Sequence, residues 1–314
     1  MSRYRKIFNR IFASIFLVVL LCINLQSFAT DGEALFKANC ASCHKPDKDF
    51  TRWYKELREK YTIPFYIDMD GANPFITQVR YQWKDTEIIV MINSNINACY
   101  QIRVSPFPGI SSGRQAWIWD AENGERHMLP LSTSITLDLG PADLKLLVFD
   151  KEKKGSLYKA ANNSGEDLIE LTGDWSVTGR HVDGTTITKE MHKLKDLKEI
   201  TEWTNFCGSI IYKTNLELKD KNKMEWLNLG KVFGVSEVLI NGANAGVKWY
   251  GRRLYNINAF LKNGSNHIEI KVTTTMGNYL KSLVDNRVAQ YWTNEGRTIQ
   301  PLQSMGMAGP VTIY

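Results

Sequence analysis

The sequence predicts a mainly β protein: a β-sandwich followed by a jelly roll, with a short helical segment in front of both. Three observations predict it. From about residue 63 onward, apolar residues alternate or run in short blocks bounded by Gly, Asn, Asp and Pro. Over 63–150 no helical periodicity of useful length interrupts those blocks. Two-residue turn signals such as Asn241-Gly242 recur between them.

The strands follow in order. "ITQVRYQW" and "EIIVMINSN" are split by "KDT", a hairpin signal, and "ACYQIRVSPF" comes next. "GRQAWIWDAENGERHML" holds two short strands around a Glu-Asn-Gly turn, and "SITLDLGPADLKLLVF" adds two more. Six or seven strands at regular spacing argue for a sandwich over 61–150. Residues 151–166 are charged, then small and polar, and read as a linker or long loop. Residues 167–314 open with "LTGDWSV" and continue through "GSIIYKTNLEL", "MEWLNLGKVFGVSEVLINGANAGVKW" and "NHIEIKVTTT" to "GPVTIY". That makes about eight strands, which suits a jelly roll.

The first 29 residues read as a signal peptide. Arg3, Arg5, Lys6 and Arg10 precede the apolar run "IFASIFLVVLLCINL", and "SFA" places cleavage after Ala29. The apolar run is short for a membrane span. An exported protein, periplasmic or secreted, is expected, with no membrane span after cleavage. Across 314 residues, 43% hydrophobic and 23% charged side chains exclude global disorder. The net charge of +6 falls to +2 without the four basic residues of the leader, so nothing in the balance points to nucleic acid.

Residues 30–60 carry "GEALFKANCASCHKPDKDF". Cys40 and Cys43 are three apart, so on a helix their thiols share one face, and His44 follows directly. C-x-x-C-H is the pattern of haem attachment, with the thiols on the vinyl groups and the His on the iron. A redox dithiol or half of a zinc site are the other readings; no second C-x-x-C follows. The stretch "GEALFKANCASCHKPD" resembles the N-terminal helix of small class I cytochromes c. That resemblance implies covalent haem c at Cys40 and Cys43, with His44 as axial metal ligand. It stops after about twenty residues. "RWYKELREKY" gives one more short helix, and neither Met69 nor Met91 has the flanks of a distal ligand loop. The remaining thiols, Cys99 and Cys207, sit in apolar surroundings and are expected to be buried.

"LNLGKVFGVSEVLINGANAGVKW", "NINAFLKNGSNHIEIKVTTT" and "GMAGPVTIY" resemble the galactose-binding-like, sugar-binding type of jelly roll of family-two glycoside hydrolases. The resemblance is strongest to the C-terminal end of bacterial α-L-rhamnosidase-type enzymes. "QVRYQWKDTEIIVMINSN" and "GRQAWIWDAENGE" are similar to the β-rich region after their catalytic barrel. In that family the barrel carries catalysis and takes about 250 residues. Only about 30 lie between the leader and the first strands, so no catalytic residue is carried over. The two resemblances meet near Phe50–Thr51, which reads as the junction of two incomplete families.

The expected function is that of a non-catalytic, carbohydrate-associated β fragment of a rhamnosidase-like hydrolase. The alternative is an exported c-type haem protein for electron transfer. Trp249, Tyr250, Arg252 and Arg253 in "KWYGRR", with Tyr291 and Trp292 in "QYWTNEGR", are the candidate sugar-binding residues. Packing is the competing role for them, since loop aromatics more often staple loops or meet a partner domain. Trp117 or Trp119 is expected in the core. A face left by a missing barrel would expose apolar surface, so a partner domain is expected to cover it.

Overall fold

In a computed structural model, the described residues are 65–68, 73–106, 111–130, 134–159, 168–293 and 301–314. The leader, the segment with Cys40, Cys43 and His44, the helix expected over 52–61, and Met69 lie outside them. The described residues from 73 to 103, and from 113 onward, belong to one compact unit; Phe65–Asp68 and 104–112 belong to another. No described helix is long and apolar enough to cross a membrane. The described residues contain no cluster of side chains suited to a metal.

The chain is mainly β. Its first strands are β1 (Phe65–Asp68), β2 (Ile76–Trp83), β3 (Thr86–Asn93), β4 (Tyr100–Pro106), β5 (Gln115–Trp119), β6 (Arg126–Met128), β7 (Ile135–Leu139) and β8 (Asp143–Asp150). Five of these form a sheet in the order β2-β3-β8-β5-β6, and β4 lies beside β7 in a second. The "KDT" signal closes the β2–β3 hairpin, with Trp83 opposite Thr86 and Lys84 at φ 53°. β3 and β8 sit mid-sheet, and Ile88–Met91 and Leu146–Phe149 are consecutive buried residues. A strand buried at successive positions is covered on both faces, which is why these read as apolar runs rather than alternations.

The stretch expected as a linker or long loop is exposed over residues 151–157, and its 156–158 backbone is tied to β6. Met128 pairs with Leu157, Met128 N–H donates to Ser156, and Tyr158 N–H donates back to Met128. Gly155 lies on the Trp117 ring so closely that a Cβ would stand 2.6 Å from it. Residues 160–167 lie outside the described part.

The later strands are β9 (Ile169–Glu170), β10 (Trp175–His181), β11 (Thr186–Met191), β12 (Gly208–Leu218), β13 (Trp226–Asn228), β14 (Lys231–Phe233), β15 (Val235–Ile240), β16 (Ala243–Lys248), β17 (Leu254–Asn256), β18 (Gly264–Thr273), β19 (Gly306–Gly309) and β20 (Thr312–Ile313). A six-stranded sheet runs β11-β10-β12-β18-β15-β16, and a four-stranded one runs β17-β13-β20-β9. β12 and β18 are the longest pair, and their buried residues fall opposite one another: Ile210 with Val272, Tyr212 with Ile270, Thr214 with Ile268. This period-two burial points one face into a core that includes Trp175, Tyr212, Leu227, Tyr255, Ile270 and Ile313. Asn241 and Gly242, at φ 52° and 82°, make the turn between β15 and β16. Positive φ at both central positions matches the right-handed twist of the strands, and Asn-Gly tolerates it.

Two features depart from expectation. Helices α1 (Gly277–Ser282) and α2 (Arg287–Thr293) interrupt the all-β pattern. Each is under two turns, too short to show a period. Asn286 starts α2 by accepting from the N–H groups of Val288 and Ala289, both at 3.0 Å. Cys207 is buried as expected, but Cys99 is exposed. It lies in the turn entering β4, where its neighbours Asn95 and Asn97 form polar loop contacts. Met91 is fully buried in β3.

Candidate functional site

A cleft of about 720 Å³ opens between the β5–β6 hairpin, the 156–159 segment and the β16–β17 loop. Trp119, Tyr158, Trp226 and Phe260 line it with aromatic surface. Trp117 and Trp119 are two apart on β5 and so point to the same side. Gly155 and its neighbours cover Trp117, which is fully buried, whereas Trp119 is reached from the cleft.

The floor is built from a charged latch. Glu122 accepts from the Lys248 ammonium at 2.8 Å and from the Trp249 N–H at 2.7 Å. Asp120 accepts from the Glu122 N–H at 2.7 Å, and its other oxygen is 4.0 Å from Lys248. The Lys248 ammonium therefore sits between two carboxylates, one of which is 7% exposed. Asp143 accepts from the N–H groups of Gly140 and Leu144 at 2.7 and 2.8 Å. Lys145 stands 3.8 Å from it.

The 249–253 loop lies against this floor because glycine occupies two crossing points. Gly251, at φ 62°, donates to the Ala142 carbonyl at 3.0 Å, and a Cβ there would be 2.5 Å from an Asp143 oxygen. A Cβ on Gly140 would be 2.7 Å from Arg252. Tyr250 is half-buried behind the loop. Burial pushes its phenol well above the ordinary range, and Glu122, Asp120 and Asp143 push it the same way. Burial works against the charge of Arg252; a hydrogen bond with Cys99 and the charge of Asp138 outweigh it and raise its value.

The residues singled out in the sequence thus take separate places. Tyr250 and Arg252 line the cleft. Trp249 is 39% exposed, with its ring edge-on to Tyr250 at 5.0 Å. Arg253 is 7% exposed and turned inward, donating to the carbonyls of Gly251 and Gly234 at 2.9 and 3.2 Å. Burial holds its guanidinium below the ordinary value. Tyr291 is 55% exposed on α2 and does not line the cleft. The Trp292 side chain is outside the described residues. Sequence reasoning missed Trp226 and Tyr158; of Trp117 and Trp119, one of which was expected in the core, Trp117 is fully buried and Trp119 lines the cleft.

Chemically, the enclosed carboxylates are committed. Glycoside hydrolysis asks for a proton-bearing carboxyl and a second carboxylate flanking one bond. Asp120, Glu122 and Asp143 instead hold Lys248 and backbone N–H groups. What the cleft offers is aromatic surface beside polar groups, a combination suited to recognising a ligand with apolar faces and hydroxyl edges.

No family model matches the chain. Over 140 residues it is 28% identical to a protein of Formosa agariphila named "Putative beta-glucuronidase", matching 41% of this chain and 12% of that protein. Among solved structures, a rhamnosidase from Novosphingobium sp. PP1Y superposes with a TM-score of 0.58 at 22% identity. That match covers 83% of this chain and 26% of the rhamnosidase. The chain shares its fold with part of a glycoside hydrolase. A β-D-glucuronidase from Dictyoglomus thermophilum matches 37% of the chain at a TM-score of 0.30. The chain spans well under two thirds of the length of each of these proteins.

Proposed function

We propose that this chain is a non-catalytic, carbohydrate-associated β protein of the rhamnosidase-like type, and that its cleft holds a sugar. Under this reading the later strands form a galactose-binding-like jelly roll and the earlier ones a sandwich braced against it by the 249–253 loop. The observation that carries the reading is the aromatic-lined cleft on a fold shared with part of a rhamnosidase. Sugars present apolar C–H faces to aromatic rings and hydroxyls to polar groups, and the cleft supplies both. Export through the leader would bring it to extracellular glycans.

The test is a glycan array with the full chain, paired with assays on nitrophenyl α-L-rhamnoside and nitrophenyl β-D-glucuronide. Binding to a defined glycan set without turnover is expected. Turnover that a cleft substitution abolishes would refute the non-catalytic reading, and an array with no binding would refute the sugar reading.

The motif Cys40-x-x-Cys43-His44 supports a second reading, an exported c-type haem protein. Haem would be bonded through the two thiols and ligated by His44, supplying a redox-active iron. An intact mass with one added haem on chain recovered from its native envelope fraction is what this reading predicts; an unmodified mass contradicts it.

A further inference from the structure

Resting on the sugar-binding reading of the cleft, we infer that it takes an oligosaccharide lying along its length, about three sugar residues at a time, rather than a single sugar.

Three stretches of chain run along the cleft and fix its two ends. The first is 156–159. Ser156 Oγ lies 2.9 Å from His127 Nδ1 on the β5–β6 hairpin, and the Lys159 ammonium lies 3.2 Å from Glu225, the residue before Trp226. The second is β17. It leaves the 249–253 loop, which Glu122 holds through the Trp249 N–H, and ends at Asn256, opposite Trp226. The third is β16. Glu122 holds its last residue, Lys248, at 2.8 Å, and Asn241 ahead of its first residue donates to the Phe260 carbonyl at 3.0 Å. Phe260 belongs to the Trp226 end, because its N–H donates to Ile257 and the Ile257 N–H donates to Glu225. All three stretches therefore join the hairpin at one end of the cleft to Trp226 and Phe260 at the other.

This makes the cleft long. Every residue from Ala245 to Lys248 lines it, and at about 3.3 Å per extended residue that stretch alone covers about 10 Å. One sugar ring does not fill such a length. The volume of about 720 Å³ lies in the range of clefts that enclose ligands of several rings.

Aromatic surface is spread along this length instead of gathered at one point. Trp119 stands at the hairpin end, next to Asp120 of the latch. Tyr158 stands on the connecting stretch, its N–H donated to the Met128 carbonyl. Trp226 and Phe260 stand at the far end. Platforms gathered at one point would sandwich a single ring, whereas platforms in a row stack successive rings. A single sugar would cover one platform and leave the others in water; a chain of sugars covers all of them.

The experiment is a length ladder, titrated calorimetrically into the full chain. The probes are β-1,4-linked gluco-, xylo- and manno-oligosaccharides, β-1,3-linked gluco-oligosaccharides and α-1,3-linked rhamno-oligosaccharides, each from the methyl glycoside to the hexamer. In the ladder that binds, the trimer is expected to bind at least about tenfold more tightly than the methyl glycoside, with little gain beyond it. Trp119→Ala and Trp226→Ala each remove an end platform, so in either variant the rise should stop about one residue earlier. The ladder on the unaltered chain decides the matter even where a variant does not fold. Affinity that is flat from the methyl glycoside onward, a rise that continues undiminished to the hexamer, or folded variants with an unchanged ladder overturns the inference while leaving the sugar reading intact. Binding of no probe at all overturns both.

Discussion

At the scale of single residues, glycine positions carry the sharpest consequences. Gly251 combines φ 62° with a site where a Cβ would meet Asp143 at 2.5 Å. Gly242 has φ 82° but open space around it. Gly251→Ala should therefore cost about 2–4 kcal/mol, from strain plus overpacking. Gly242→Ala should cost about 1–2 kcal/mol from strain alone. Urea denaturation of both variants checks the ordering, and equal losses would show that the 251 crossing is not tight. Asp196 makes a second residue-scale prediction. Burial works against its charge, but Ser304, the N–H groups of Met305 and Lys198, and the Lys198 ammonium outweigh it and hold its carboxyl below the ordinary value. With the folded value below the unfolded one, its contribution is present above the unfolded value of about 3.9 and is lost as pH falls through the folded one. Denaturation midpoints should fall on acidification below about pH 4, less steeply in Asp196→Asn. The turn at Asn241-Gly242 was legible because its chemistry is local. The place of Trp119 was not, because it depends on Gly155 covering its strand neighbour Trp117 from a distant stretch of chain.

At the scale of elements, strands were readable wherever burial alternates. β12 buries every second residue from Ile210 to Leu218, and its partner β18 does the same. β3 and β8 were also legible, as continuous apolar runs, since both faces are covered. Helices α1 and α2 escaped because neither completes two turns, although Asp285-Asn286 ahead of Arg287 is a start signal in hindsight. The backbone pairing of 156–158 with Met128 was not readable, because it leaves no mark in side-chain pattern. The latch between the β5–β6 hairpin and β16 gives this scale its prediction. Glu122→Gln keeps the shape but weakens the contacts to Lys248 and the Trp249 N–H, and should cost about 2 kcal/mol. In the Lys248→Met background the same change should cost less, because the two side chains act as a pair. A double-mutant cycle by thermal denaturation measures this, and additive losses would show that the latch is not a unit.

At the scale of the molecule, the mainly β architecture followed from strand and turn signals, and the likeness to part of a rhamnosidase agrees with it. The location of the candidate site did not follow. "KWYGRR" looks like an exposed aromatic loop, yet Gly251 and Gly140 let it lie flat against the Asp143 turn. Half of its candidate side chains became part of a wall, and Trp226, more than twenty residues earlier, came to line the same cleft. Such a cleft is a product of tertiary packing and has no contiguous sequence motif. The central claim is that sugar is held in this cleft rather than by the exposed loop tip. The measurement that tests it most directly is isothermal titration of the best array glycan into the full chain and into Trp226→Ala and Trp249→Ala. Loss of at least about tenfold in affinity in Trp226→Ala, with Trp249→Ala near wild type, is the predicted result. Unchanged binding in Trp226→Ala together with loss in Trp249→Ala would contradict it and return the site to the loop.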